Sequence, residues 1–284
     1  MRDADRVARG LDDPSLTVRT RAAGAAARIA DAKALTEWTL RADRFTARKL
    51  ISTVSRCDRR DVARALVPGL LAAGRTAEAA RLLPLLDEAG ARQALTEVEP
   101  PTVPWRRLAW RHPELVLASA RAALAERPTT WRSVLATRLG AWPVLAGTRP
   151  DALLALFADA GRGEALLPLQ TGLFGRLALH AADGADRVAA LWLVPERRAQ
   201  RAAGLPTALL KVASRLPERT LGALAERMNQ APSALAALLA ALPPARRASV
   251  FDAAVGTLDT EHRIWPDALL TALPHARRFA EAAR

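Results

Sequence analysis

The sequence contains no tyrosine, one cysteine, two methionines and five phenylalanines in 284 residues. It is also poor in β-branched aliphatics, with 15 Val and 3 Ile against 65 Ala and 45 Leu. Alanine and leucine lead the helix-propensity scale, whereas β-branched and aromatic side chains fill strands. So few Val and Ile cannot furnish a sheet domain of this length, which argues against all-β and parallel α/β folds and predicts an all-α protein. The lone Cys57 cannot form an internal disulfide, which fits a reducing compartment. Long apolar runs are missing as well. The longest nearly uncharged stretch, residues 231–245, contains three prolines and falls short of the ~20 residues that a membrane helix needs. Met1-Arg2-Asp3-Ala4-Asp5-Arg6 carries acids with no apolar core behind it and does not read as a signal peptide. A cytoplasmic protein with no membrane association is expected.

Lysine is scarce too. It occurs only at Lys33, Lys49 and Lys211, so 39 of the 42 basic residues are arginine and the formal net charge is +13. Such an excess suits nucleic acid, acidic lipid or an acidic partner. Ala, Arg, Gly and Pro all have GC-rich codons, however, and genome composition could explain much of the bias. The net charge also changes sign along the chain: +6 over 1–74, −2 over 75–99, +6 over 100–150, −2 over 151–193 and +5 over 194–284. There is no single basic block.

Residues for chemistry are equally thin. The four histidines, His112, His180, His262 and His275, lie far apart, and none has a second ligand at metal spacing. His112 before Pro113 and His275 after Pro274 read as capping or surface residues. Gly161-Arg162-Gly163 lacks the third glycine and the preceding strand of a dinucleotide loop, and reads as a helix C-terminal turn. Neither Gly-x-Ser-x-Gly nor the phosphate-loop motif occurs. Cys57 sits between Arg56 and Asp58-Arg59-Arg60, where positive charge would stabilise a thiolate; with no histidine partner it reads as a small core residue. No catalytic residue, metal, cofactor or small-molecule ligand is therefore expected.

What the sequence has is punctuation. Proline is tolerated at the first helical position. Asp13-Pro14-Ser15 opens a run to Ala30, His112-Pro113-Glu114 one to Glu126, and Arg149-Pro150-Asp151 one to Ala160. A Leu/Val-Pro phrase followed by acid or arginine recurs at Pro195, Pro217, Pro243 and Pro274, spaced 22, 26 and 31 residues apart. Irregular recurrence on this scale is how helical-repeat arrays present themselves; a non-repetitive helical bundle is the alternative. Between prolines, apolar residues keep helical spacing. Trp131, Val134, Leu135, Leu139 and Trp142 share one face, as do Val116, Ala120 and Leu124. The run from Ala231 to Leu242 is apolar almost all round and reads as an inner helix shielded by 217–229 and 243–257. Residues 97–104 hold three prolines in five residues and predict a non-helical kink within one domain spanning 1–284.

Leu11-Asp12-Asp13-Pro14-Ser15-Leu16-Thr17-Val18-Arg19, continuing to Ile29, resembles a HEAT repeat: an Asp-Pro turn leads into a helix carrying Val-Arg and then small residues. Asp43, Thr46-Ala47-Arg48 and Leu50 resemble a degenerate second copy, with Arg48 placed 29 residues after Arg19. The likeness covers residues 11–50. It implies a right-handed α-solenoid of HEAT-like helical hairpins in one elongated domain, with arginines linking neighbouring repeats through carboxylates. It also implies a scaffold or adaptor with no enzymatic activity, although fold does not fix function.

Two features offer a binding surface. Arg56, Arg60 and Arg64 recur at i, i+4 and i+8 and form a basic stripe if they share a helix; Asp58 is placed to cap a new helix and break it. Trp105, Arg106, Arg107, Trp110 and Arg111, with Trp131 and Arg132, mix aromatic and guanidinium groups as nucleic-acid surfaces do. The same pattern fits a helix with Trp105 and Leu108 buried and its arginines solvated. The expected partner is another protein. The second reading is weak nucleic-acid binding by a HEAT-like protein resembling the alkylpurine DNA glycosylases. The final run, His275 to Arg284, is helical in pattern, leaves Phe279 on an apolar face, and lacks a C-terminal cap. This favours the front part of a longer array.

Overall fold

The structure, a computed structural model, describes residues 2–126, 131–159, 171–192, 212–228 and 232–255. Among the described residues it holds 17 α-helices and short 3-10 turns, with no strand. The protein is all-α. Two compact units divide the chain, 1–144 and 145–284.

In the first unit α1 (Arg2–Leu11), α2 (Leu16–Ile29), α3 (Ala32–Arg41), α4 (Arg44–Arg56) and α5 (Arg60–Ala72) follow one another through short turns. α1 packs on α2, α2 on α4, and α3 on α5. The starts of these helices are set by side chains. Asp31 accepts from the Ala34 N–H at 2.8 Å, and Asp43 from those of Phe45 and Thr46 at 2.8 and 3.2 Å. These bonds satisfy donors that have no partner inside the helix. The Thr46 hydroxyl donates to the other Asp43 oxygen at 2.5 Å, and that bond does most to hold the Asp43 carboxyl below the usual carboxylate range. Small residues set the spacing between helices. Ala23, Ala26 and Ala27 are buried, and a Cβ on Gly10 would stand 2.9 Å from that of Ala22, so α1 and α2 meet almost backbone to backbone. Counting from the N-caps Ser15 and Asp43, the position matching Arg19 is Ala47 rather than Arg48. Arg19 itself reaches Asp43 at 3.6 Å, linking α2 to the start of α4.

The unit continues through α6 (Thr76–Ala80), α7 (Glu88–Leu95), α8 (Trp105–Arg111), α9 (Pro113–Glu126) and α10 (Trp131–Thr137). The proline-rich stretch 97–104 lies inside this unit. It contains one 3-10 turn, Pro100–Thr102, flanked by extended Glu99 and Val103. The Trp105 indole N–H donates to the Pro100 carbonyl at 2.8 Å and ties that turn to α8. Residues 131–142 differ from the single apolar face expected. The helix stops at Thr137, tight i→i−3 bonds carry the chain through Gly140, and Trp142 opens a new helix, α11 (Trp142–Thr148). Trp142 still meets the earlier turn: it is fully buried and its indole N–H donates to the Leu135 carbonyl at 3.1 Å.

The second unit contains α12 (Pro150–Asp159), α13 (Thr171–His180), α14 (Gly184–Trp192), α15 (Glu218–Met228), α16 (Pro232–Ala241) and α17 (Pro244–Val255). α12 packs on α14, α15 packs on α17, and α16 touches both α15 and α17. The rings of Phe157 and Phe174 meet at 5.7 Å between centroids in its core. Asp183 adopts a left-handed φ of 48°, and a Cβ on Gly184 would collide with the Leu177 carbonyl oxygen, so glycine is required where α13 turns into α14. Pro113 and Pro150 are each the first residue of a helix, as the punctuation predicts, whereas α2 starts two residues after Pro14 and α15 and α17 one residue after Pro217 and Pro243. The phrases at Pro195 and Pro274 lie outside the described residues. Where the side chains of α16 are described, Leu238 and Leu239 are buried, whereas Ala240 and Ala241 are exposed. Alanine there serves helix propensity rather than burial.

Several arginines stand at the wrong end of their own helix. Arg59 and Arg75 directly precede α5 and α6, and Arg246 lies in the first turn of α17, where the helix dipole repels a cation. Each reaches back to carbonyls that end an earlier element. Arg59 donates to Ala27 and Ala30 at 3.2 and 3.1 Å at the end of α2, while its fork holds Asp61 at 3.0 and 2.8 Å. Arg75 donates to Thr39 at 2.9 Å near the end of α3, and Arg246 to Ser214 and Leu216 at 3.0 and 2.8 Å. Arg59→Ala is expected to cost about 1.5–3 kcal/mol, the worth of charge-assisted hydrogen bonds. Arg59→Lys should recover only part of this, because an ammonium cannot span two carbonyls and a carboxylate at once. Urea unfolding of both variants checks this, and equal stability for Arg59→Ala and the parent would refute the clamp.

Candidate interaction surface

Four of the candidate residues, Arg56, Arg60, Arg107 and Arg111, meet around the link between α4 and α5. α4 ends at Arg56, Cys57 and Asp58 turn the chain, and Asp58 takes a left-handed φ of 53°, which Asp tolerates better than most residues. The predicted stripe is therefore broken. Arg56 belongs to α4, and only Arg60 and Arg64 share α5. Asp58 breaks it through its backbone and not as a cap, since Arg59 holds the N-cap position.

Chain segments about fifty residues apart meet here. Arg111, on α8, donates to Asp58 Oδ1 at 2.7 Å, while Arg60 donates to Asp58 Oδ2 at 3.4 Å. Arg107 donates to the Ser55 hydroxyl at 2.9 Å, and Arg56 to that of Thr53 at 3.4 Å. Arg64 pairs instead with Asp87 at 3.5 Å. α8 turns Trp105, Leu108 and Ala109 inward and Arg106, Arg107, Trp110 and Arg111 outward. Trp110 is 64% exposed, the largest value among the exposed large hydrophobic side chains of the described residues. Trp105 is buried, and its ring is covered by the Arg138 guanidinium at 4.5 Å from the centroid. Trp131 and Arg132 open α10, but their side chains lie outside the described residues.

Arg138 has no counterpart among the residues singled out from sequence. It is buried, donates to the Val134 carbonyl and the Ser119 hydroxyl at 3.0 Å each, and leaves its Nε without a hydrogen-bond partner. Burial pulls its pKa down to about 10. The only signal for it was its place just after α10, where a cation meets the last carbonyls of a helix. Cys57 is exposed, not part of the core as its sequence context implied, because it sits in the α4–α5 turn. His112 places Nε2 3.0 Å from the Leu86 carbonyl oxygen, and His180 is exposed at the end of α13. His262, His275, Gly161-Arg162-Gly163 and Phe279 lie outside the described residues. Among the described residues no group of His, Cys, Asp and Glu could hold a metal ion, and no helix is long and apolar enough to cross a membrane. Compared with known proteins, the chain matches no family model, no curated protein and no solved structure.

Proposed function

We propose that the chain is a right-handed α-solenoid of HEAT-like hairpins acting in the cytoplasm as a non-enzymatic scaffold for another protein. Within each unit, support for the solenoid comes from the packing of a helix on its next-but-one neighbour: α2 on α4, α3 on α5, α12 on α14 and α15 on α17. Arginine links span a similar stretch of chain, 29 residues from Arg59 to Ala30, 36 from Arg75 to Thr39 and 30 from Arg246 to Leu216. Stacked units of this kind expose an extended surface to a partner.

The observation that carries the choice of partner is the state of three of the candidate arginines, Arg60, Arg64 and Arg111. Arg60 and Arg111 hold Asp58, and Arg64 holds Asp87. Guanidinium groups already paired with the protein's own carboxylates release fewer counterions on meeting phosphates, and counterion release drives nucleic-acid affinity. Asp58, exposed and held by two guanidiniums, is also poorly placed to act as the recessed acid of a glycosylase. Binding to duplex DNA is therefore expected to be weak and lost by about 200 mM salt. A fluorescence-anisotropy titration across salt checks this. Lesion- or sequence-specific binding that survived about 200 mM salt would replace the scaffold with the alkylpurine DNA glycosylase-like reading.

A further inference from the structure

The outward face of α8 combines an open aromatic ring with positioned cations. Arg107 is held by Ser55 and Arg111 by Asp58, so both guanidiniums are oriented before any partner arrives. Orientation in advance lowers the entropy that binding must overcome. The Arg111 and Asp58 side chains are still 43% and 45% exposed, which leaves room for a second carboxylate beside the first. The basic field is also short. Next to it Arg59 is paired with Asp61 and Arg64 with Asp87, and the segment 75–99 is net acidic. A nucleic-acid strand needs a continuing track of free cations for its phosphates. A patch bounded by carboxylates instead fits a short acidic chain with an apolar residue for the indole.

We propose that Trp110, with Arg107 and Arg111 beside it, docks a short acidic protein segment, its apolar side chain lying on the indole and its carboxylates on the guanidiniums. This rests on the scaffold reading and names its partner's chemistry. The test uses the full chain and a fluorescein-labelled Glu-rich peptide carrying one central Leu, with an oligothymidylate of equal length as the comparison. Trp110→Ala and the Arg107→Ala/Arg111→Ala pair are each expected to weaken peptide binding by about tenfold or more, as anchors of an interface do. Arg41→Ala, an exposed arginine on α3 outside the patch, should leave it unchanged. Unfolding midpoints establish that the variants fold, and Trp110→Ala removes a side chain that is mostly exposed. Failure of the peptide to bind, or equal binding by Trp110→Ala and the parent, overturns the patch. Tighter binding of oligothymidylate overturns it in favour of nucleic acid. A native protein partner that copurifies equally with the parent and both variants overturns the patch while leaving the scaffold reading standing.

Discussion

Trp142→Ala is expected to lower the stability of the protein by about 3–5 kcal/mol, the cost of emptying a large buried aromatic site. Trp142 is fully buried at the point where the chain turns from α10 into α11. Truncation there removes packing and also takes from the Leu135 carbonyl the indole N–H that reaches it at 3.1 Å. Trp142→Phe keeps most of the volume and loses the donor, while the Leu135 carbonyl still accepts from the Arg138 N–H at 3.2 Å, so it should cost less than the Ala variant, about 0.5–1.5 kcal/mol for the lost hydrogen bond plus a small packing loss. Guanidinium unfolding of the two variants measures the difference. If Trp142→Ala unfolds with the parent, the two helices are not joined through this residue.

Arg138→Ala should be the next most damaging change, at about 2–4 kcal/mol, because it uncovers the Trp105 ring and opens a void between α8, α9 and α10. Arg138→Met is expected to remain within about 1 kcal/mol of the parent. The reason lies in the charge. Burial holds the Arg138 pKa down at about 10, below the ordinary arginine value, so the fold disfavours the cation it encloses. That penalty acts at every pH below about 10 and is relieved only as the pH rises past it. The apolar stem and the stacking on Trp105 hold the residue in place, and methionine supplies the stem without the charge. The Val134 carbonyl keeps the Thr137 hydroxyl as a donor at 3.0 Å after the change. A methionine variant as unstable as the alanine variant would show that the guanidinium itself is required.

The helical class and many helix starts were legible because they rest on local chemistry. Asp-Pro-Ser before α2, Pro113 and Pro150 act through their own backbone and their nearest neighbours. Residues 131–142 were harder, since an apolar period runs through a break and the tight turn at Gly140 leaves the face of the indole where a continuous helix would have put it. Arginine was misjudged for a different reason. Read as composition, it looked like a consequence of GC-rich codons, yet Arg59, Arg75 and Arg246 each hold carbonyls some thirty residues back. Their position at helix starts, against the dipole, was the available clue. The candidate surface was partly legible: α8 could be resolved into a buried Trp105 and outward arginines by period alone. Its meeting with Ser55 and Asp58 depends on tertiary packing, which periodicity does not encode.

Affinity purification of the full chain from its native host, with nuclease treatment and cross-link mapping, tests the scaffold most directly. The expected result is a protein partner that resists nuclease and cross-links to the first unit near α8. Recovery of nucleic acid that withstands about 200 mM salt, with no protein partner, would contradict it.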